Sequence, residues 1–375
     1  MAALPLVGIR ILSLAEQYPG PFATMLLADL GADVILVERP DGGDPSRRFA
    51  GLFTSLNRNK RSVALDLKSE AGRAQFLELV DSADVVIEGY RPGVMARLKL
   101  DADLLRARKP GLIYMSISSF GQTGPMAAVA GHDLSIQASA GMIKVPLGQE
   151  ANANLPVLPL ADISSAMFAA LGVVTALFGR TRSGHGSQID VSMFDSLVCW
   201  MTPFLVPAMN ALEVRPLPPE DPGYGLFATA DGRQITLSIA GEDHMWRALC
   251  DLLGLKQYSA LTEQQRNHRA REIDPYLRAA IASCHFDWLC QHLETERIAF
   301  GPVCDVDQVV EDAQVKARNM VVEFDGKSKR ERFIRQPLIF DGNIGTIRHS
   351  APDLGEHGPA IFEALSAEEL PDNVR

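Results

Sequence analysis

Apolar and polar positions along the first part of the chain follow a strand–helix–strand pattern. Val7–Leu14 alternates as a β-strand does, and Ala32–Val37 is a second apolar strand. Between them, Pro19-Gly20-Pro21 starts a helix over Phe22–Leu30, and Gly31 is placed to end it. This order predicts a β-α-β unit, whose two strands lie parallel in an α/β domain.

The same alternation continues to about residue 200. It predicts a helix over Ser69–Ser82, strands over Asp84–Glu88, Leu112–Ile117 and Ser187–Val191, and an apolar helix over Ile163–Gly179. That last helix is shorter than the ~20 residues that a bilayer span needs. Charged residues bound it on both sides, Asp162 before it and Arg180 after it. We therefore expect a buried core helix.

The second part of the chain has a different pattern. A proline-rich stretch, Arg215–Pro222, is typical of a linker, and Tyr224–Ile239 predicts a hairpin that turns at Asp231-Gly232. Helices are predicted at 242–254, 264–282 and 286–296, followed by a strand and a helix within Gly301–Asn319. The tail from Gln336 has few periodic elements, and we expect it to pack back on the first domain.

Composition narrows the class of protein. The 375 residues are 47% hydrophobic and 22% charged, which is ordinary for a globular chain of two domains. The net charge of −10 disfavours nucleic acid as a partner. Five cysteines form no C-x-x-C pair, and the first residues do not resemble a signal peptide. We expect reduced thiols, a cytoplasmic location and no metal site.

Candidate chemistry lies in a region that is poor in charge. His132 and Asp133 follow Gly131, and Asp162 begins the apolar helix about thirty residues later. A histidine and a carboxylate in an apolar cleft can exchange protons with a substrate. The structural alternative is that Asp162 only caps the helix. Asp133 is expected to orient its loop, and His185 to face solvent.

Basic residues recur at the ends of the predicted elements. Arg39 follows the second strand, Lys60 and Arg61 end a basic stretch at 57–61, and Arg91 follows Tyr90. They lie either in solvated loops or around a polyanionic ligand. The G-x-G-x-x-G fingerprint of dinucleotide binding is missing from the first turn, although Glu38 stands where a ribose-binding acid would.

Several motifs in one order resemble the class III CoA-transferase family (CaiB/BaiF type), which includes α-methylacyl-CoA racemases. They are LLADLGADVILVERP after Pro19-Gly20-Pro21, then NRNKRSVALDLK, IEGYRPGVMARL, FGQTGP, AGHD and SGHGSQIDVSM. The resemblance is strong over residues 5–200 and weaker to about 340.

This resemblance implies an α/β fold and an interlocked homodimer. A doubly wound, parallel-sheet large domain is built from both chain ends (1–215 and 326–375), and a smaller α+β domain spans 223–325. The active site lies between the large domain of one subunit and the small domain of the other. Coenzyme A belongs to the substrate, no cofactor is tightly bound, and neither nucleic acid nor membrane is a partner. Coenzyme A is expected to contact residues at five positions, Arg39, Lys60, Arg61, Tyr90 and Arg91, and the basic ones are expected to bind its phosphates.

Two reactions are implied. In the racemase branch, His132 and Asp162 flank the α-carbon of the thioester and Glu242 partners the histidine, so that a proton leaves one face and returns on the other. In the transferase branch, the carboxylate of Asp162 attacks the thioester and forms a mixed anhydride. His132 and Glu242 favour the racemase. The residues after Glu242 and the stretch Leu160–Met167 favour the transferase.

We expect an enzyme, with racemase-like 1,1-proton transfer as the first choice and CoA transfer as the alternative. A non-catalytic acyl-CoA-binding protein is a lesser alternative, which the three site residues oppose.

Overall fold

The computed structural model describes residues 4–144, 157–212, 221–327 and 329–368. The chain folds into two compact units. The first unit comprises residues 1–143, 153–203 and 316–375, and the second comprises 144–152 and 204–315. The first unit is thus formed from both chain ends. Its boundaries differ from the expected ones, and most of the predicted linker, 215–220, lies outside the described residues.

A parallel six-stranded sheet forms the centre of the first unit. Its strands, in chain order, are β1 (Arg10–Leu14), β2 (Asp33–Glu38), β3 (Lys60–Ala64), β4 (Val85–Glu88), β5 (Ile113–Ser118) and β6 (Gln188–Ser192). Their order across the sheet is β3-β2-β1-β4-β5-β6, and all neighbours are parallel. From β1 the successive strands are added towards one edge of the sheet as far as β3, and from β4 they are added towards the other edge. The order of the strands therefore reverses between β1 and β4. In doubly wound folds ligands bind at that reversal, outside the carboxyl ends of the strands.

Helices surround this sheet. They are α1 (Pro19–Asp29), α2 (Ala50–Asn57), α3 (Glu70–Ser82), α4 (Val94–Arg97), α5 (Ala102–Arg108), α6 (Asp133–Ser139), α7 (Leu160–Ser183) and α8 (Met193–Trp200). The next helix, α9 (Thr202–Met209), belongs mostly to the second unit. One apolar core joins α1 and α7 to the sheet, and another joins α3 and α5 to it. Since apolar residues cover both faces of the sheet, the inner strands β2, β4 and β5 are largely hydrophobic, whereas β3 and β6 contain charged residues.

The second unit has an antiparallel sheet and several helices. Its elements are β7 (Tyr224–Ala228), β8 (Gln234–Ser238), α10 (Asp243–Leu252), α11 (Glu263–His268), α12 (Ala270–Ala282), α13 (Phe286–Thr295), β9 (Phe300–Pro302), α14 (Val306–Glu311) and, at its boundary, α15 (Ala313–Ala317). The predicted hairpin forms and turns at Gly232, whose φ is +80°. The helix expected over 264–282 is interrupted at Arg269.

The C-terminal segment belongs to the first unit and begins earlier than expected. It contains β10 (Val321–Asp325), β11 (Arg330–Ile334) and α16 (Gly358–Glu368). The β10–β11 hairpin joins this unit because Phe333 packs beneath the guanidinium of Arg58. The side chain of Asn59 also binds the backbone at Thr346 and Arg348. Ile361 on α16 is buried in the core beside α3, so this helix packs within the first unit.

The stretch 57–61, for which the sequence left solvated loops and a polyanionic ligand as alternatives, contains the end of α2 and the start of β3. Its two arginines are paired within the fold. Arg58 pairs with the buried Asp29, and Arg61 pairs with Asp33. Polar residues can occupy a strand when each has a partner.

Candidate active site

A cavity of about 380 Å³ lies at the carboxyl ends of β1, β4 and β5 in the first unit. Four of the predicted site residues line it: His132, Asp162, Tyr90 and Arg91. Its remaining wall includes the β1–α1 loop, residues 15–20, and the segment from 127 to 133. The cavity therefore occupies the position at which the strand order predicts a ligand.

The Pro19-Gly20-Pro21 motif has a structural reason at this wall. A Cβ on Gly20 would lie 2.1 Å from the Cβ of Ala15, so only glycine fits where the chain leaves β1 and enters α1. Gly89, at the end of β4, also packs against Ala15, since a Cβ there would lie 3.2 Å from its Cα. These small residues allow the loops after β1 and β4 to approach closely.

Asp133 is a structural residue, as the sequence predicted. Its Oδ1 accepts hydrogen bonds from the backbone N–H groups of Ala161 (2.7 Å) and Asp162 (3.4 Å) at the start of α7. Its Oδ2 accepts one from Nε2 of Gln137, at 2.7 Å. Asp133 thus caps α7 from a separate element. It fixes the start of this helix beside the GHD loop, which is Gly131-His132-Asp133.

Asp162 is not the cap of α7. It lies in the first turn of the helix, where Pro159 occupies the capping position without a side-chain bond. Burial, followed by the negative charge of Asp133, raises the pKa of Asp162 to about 7. Within the described residues its carboxyl oxygens have no hydrogen-bond donor or ion-pair partner. Asp162 therefore has a partly desolvated carboxyl without a partner at the wall of the cavity.

His132 is exposed and immediately precedes α6. The hydroxyl of Ser135 accepts a hydrogen bond from the backbone N–H of His132, at 3.1 Å, and donates one to the carbonyl of His132. One residue earlier, the hydroxyl of Ser119 donates to the carbonyl of Gly131, at 2.9 Å. These bonds hold the backbone of the loop and leave the imidazole available to the cavity. His185 is exposed in its turn, as predicted.

Arg39 lines a neighbouring cavity of about 600 Å³ at the carboxyl ends of β2 and β3, together with Lys68. Its Nε donates to the carbonyl of Gly43, at 2.9 Å. Glu16 and Tyr90 line both cavities, so the two share one wall. Glu38 does not act as a ribose-binding acid here, since it is buried and bound to Arg47 and Ser62.

Lys60 and Arg61 do not join Arg39 and Arg91. Lys60 is fully buried, and its Nζ donates to the carbonyl of Pro21 (2.9 Å) and to Oδ1 of Asn57 (2.8 Å). Burial lowers its pKa well below the usual value. Arg61 lies at the amino-terminal end of the sheet, where its Nε donates to Asp33 at 2.9 Å. The structure does not bring Lys60 and Arg61 to the anion site at which the sequence predicted them.

Glu242 belongs to the second unit. It is exposed, immediately precedes α10, and accepts the backbone N–H of Ala240 at 2.8 Å. Its partnership with His132 stays a prediction.

Sequence reasoning missed one acid of the cavity, Glu16. Burial and the charge of Asp44 raise its pKa to about 7, against the opposing effect of Arg39. The available signal was its position directly after the first strand, at the predicted ligand edge of the sheet.

The chain is similar to known proteins over nearly its whole length. The model of CoA-transferase family III matches residues 6–358. The chain is 32% identical to a succinate–glutarate CoA-transferase from Agrobacterium fabrum, over 96% of both proteins. It is 31% identical to the human α-methylacyl-CoA racemase, covering 98% of this chain and 95% of that protein. A crystal structure of a CaiB/BaiF family protein from Brucella suis superposes with a TM-score of 0.86 at 30% identity, covering 97% of this chain and 100% of that one.

The mixed α/β fold with its parallel six-stranded sheet is thus shared with a solved structure at this identity. The family predicted from the motifs is confirmed across nearly the whole chain. This protein therefore belongs to CoA-transferase family III and is an enzyme of that family.

Proposed function

We propose that this enzyme transfers CoA between an acyl-CoA and a carboxylic acid, with Asp162 as the nucleophile. The observation that carries this proposal is the contrast between two aspartates at the cavity. Both oxygens of Asp133 are engaged by hydrogen-bond donors, whereas those of Asp162 have no donor within the described residues. The name of the Agrobacterium relative describes a reaction of this class.

The chemistry divides one difficult exchange into acyl transfers at a single carboxylate. An oxygen of Asp162 attacks the thioester carbonyl and the C–S bond breaks. CoA leaves as the thiolate, and the acyl group stays on Asp162 as a mixed anhydride. The thiolate then attacks the Asp162 carbonyl, releasing the first carboxylate and leaving an aspartyl-CoA thioester. An incoming carboxylate attacks this thioester and expels the thiolate, which finally attacks the acyl carbonyl of the new anhydride. The products are a new acyl-CoA and free Asp162.

The nucleotide of CoA is proposed to occupy the neighbouring cavity. Arg39 and Lys68 supply positive charge there, and Tyr90 lies on the wall towards Asp162. Arg91, on the Asp162 side, is exposed and has no ion pair among the described residues. Guanidinium groups bind phosphates through charge-assisted hydrogen bonds, and Arg39 lines the cavity proposed for the nucleotide.

A homodimer is part of the proposal, as is a cytoplasmic location. Helix α7 exposes an apolar stripe in which Met167, Leu171, Val174 and Phe178 retain 49%, 60%, 40% and 58% of their accessible surface. By length and composition α7 could cross a membrane. Its opposite face, however, is buried against the sheet, with Ala166, Ala169 and Val173 in the core. A second copy of the chain is proposed to cover the stripe.

Racemisation of a 2-methylacyl-CoA is the second candidate. His132 lines the same cavity as Asp162, so two different acid–base groups face one ligand site. Inverting a stereocentre requires such a pair, with one group on each face of the α-carbon. The human relative is named for this reaction.

Two measurements on one sample separate the reactions. Incubation with an acyl-CoA and hydroxylamine should convert Asp162 to a hydroxamate, detected by peptide mass spectrometry. Asp162→Asn should abolish both the label and the transfer of CoA to an added carboxylate. The control Asp195→Asn changes an exposed aspartate of the same unit and should leave both intact. Deuterium incorporation at the α-position of a 2-methylacyl-CoA in D₂O, with no label on Asp162, would establish the racemase instead.

A further inference from the structure

Glu16 is a carboxyl that the reaction above does not use, and its position is distinctive. It lies two residues after β1 (Arg10–Leu14), where the sheet order reverses. It lines the cavity that contains Asp162 and also the cavity that contains Arg39. Tyr90 is the other residue that both cavities share. Any extended ligand that occupies both cavities must therefore pass Glu16 and Tyr90.

The backbone around Glu16 is held by a chain of hydrogen bonds. The N–H of Gln17 donates to both carboxylate oxygens of Asp44, at 3.2 and 3.1 Å. The N–H of Asp44 donates in turn to Oε1 of Glu38, at 3.0 Å. Gln17 has a φ of +67°, in the left-handed region that non-glycine residues rarely adopt. These bonds place Glu16 in the wall without the help of a ligand.

The side chain of Glu16 has no partner of its own. Among the described residues no hydrogen bond or ion pair reaches its carboxyl, although the residue is partly buried. The charged groups that act on it are Asp44 and Glu38, which raise its pKa, and Arg39, which lowers it. With burial as the largest cause, the pKa reaches about 7. A partly desolvated carboxyl without a partner is a candidate for binding a ligand.

We propose that Glu16 binds the pantetheine arm of the CoA substrate through one of its amide groups. This inference rests on the proposed function: with the nucleotide beside Arg39 and the thioester at Asp162, the arm crosses the shared wall. The arm is uncharged, and each of its two amides offers an N–H donor and a C=O acceptor. A protonated Glu16 can donate to the carbonyl and accept from the N–H, whereas the ionised form can only accept.

The probe for this contact is S-acyl-pantetheine, which lacks the nucleotide and its phosphates, titrated calorimetrically against the full-length protein. Glu16→Ala should weaken its binding roughly three- to tenfold, the range for one hydrogen bond. Glu16→Gln keeps a donor and an acceptor and should bind within about twofold of the wild type at pH 6. Glu70→Gln, at an exposed glutamate of α3, is the matched control and should have no effect.

The pH profile gives a readout that survives even if Glu16→Ala does not fold. It compares Asp162→Asn alone with the double variant that also carries Glu16→Gln. Asp162→Asn removes the other cavity carboxyl with a pKa near 7 from both proteins, and His132 is common to both. From pH 6 to pH 8, affinity for S-acyl-pantetheine should fall in the protein that keeps Glu16, as the donor is lost. It should fall less in the double variant, and parallel profiles would overturn the role of Glu16.

The same titrations distinguish this inference from the proposed function. Arg39→Ala should weaken binding of CoA but not of S-acyl-pantetheine, because Arg39 acts on the nucleotide. If the wild type binds neither ligand, the proposed function fails. If the wild type binds both and Glu16→Ala binds S-acyl-pantetheine equally well, the proposed function stands and the contact to Glu16 is wrong.

Discussion

Two aspartates meet at the start of α7 (Leu160–Ser183) and have opposite roles because their hydrogen bonding differs. Asp133 accepts three hydrogen bonds through its two oxygens and stabilises the helix end. Asp162 gains no such bonds and bears the repulsion of Asp133 as well as the loss of solvent. At the cavity the protein thus holds one carboxyl whose ionised form lowers the stability of the fold, as functional sites often do.

The raised pKa of Asp162 predicts a pH-dependent stability. Its pKa is about 7 in the folded protein against a reference value of 3.8, so the folded state binds the proton more tightly. Asp162 therefore destabilises the fold progressively as pH rises from about 4 to about 7, and fully above that. Asp162→Asn should raise the free energy of unfolding by roughly 1–3 kcal/mol at pH 8 and by less at pH 5. Urea denaturation at both pH values measures this, and an equal gain at both would contradict the shifted pKa.

At the scale of elements, α7 depends on a cap that comes from another segment. Its own capping position is Pro159, which offers no side-chain acceptor, and the hydrogen bonds come from Asp133 instead. This arrangement couples the GHD loop to the first turn of α7, so His132 and Asp162 are positioned together. A conventional cap within α7 would leave the loop independent of the helix.

Removing the cap tests this coupling. Asp133→Ala leaves the N–H groups of Ala161 and Asp162 without their acceptor and should cost about 1–2 kcal/mol of stability. It should also reduce kcat for CoA transfer, because Asp162 is no longer held in place. Asp133→Asn retains one oxygen acceptor and should retain most of both. Urea unfolding and steady-state kinetics on the same samples decide the matter. Full activity in a destabilised Asp133→Ala protein would show that the cap does not position Asp162.

At the scale of the whole molecule, the apolar stripe on α7 is the feature that predicts assembly. Exposed apolar residues at 167, 171, 174 and 178 recur every three or four positions, so they share one face of the helix. The opposite face is buried in the core of the first unit. A helix that is apolar on both faces needs a second surface to cover it.

Charge on that stripe should prevent the proposed dimer. Leu171→Asp combined with Phe178→Asp should convert a dimer to a monomer in size-exclusion chromatography with light scattering at micromolar concentration. The control is Leu104→Asp, at an exposed apolar position of α5 (Ala102–Arg108), and it should remain dimeric. A monomeric wild-type protein would contradict the proposed dimer.

The sequence by itself predicted the family and five strands of the first unit, β1, β2, β4, β5 and β6, and it offered His132 and Asp162 as candidate site residues. These depend on local periodicity and on motifs that are read along the chain. It did not reveal that residues 57–61 join α2 to β3, where Arg58 pairs with Asp29 and Arg61 with Asp33. Those partners are about thirty residues away, so no local pattern reveals them.

Only the tertiary structure decided which charged groups face the site. Lys60 and Arg91 look alike as cations in the sequence, yet one is fully buried on backbone and amide oxygens and the other lines the cavity. Glu16 and Asp133 are both acidic in the sequence but differ in the fold. Glu16 has no partner among the described residues and lies in the wall that the two cavities share, whereas Asp133 caps α7. The physical reason is that burial and hydrogen-bond partners determine what a charged side chain can do, and both arise only when distant segments pack together.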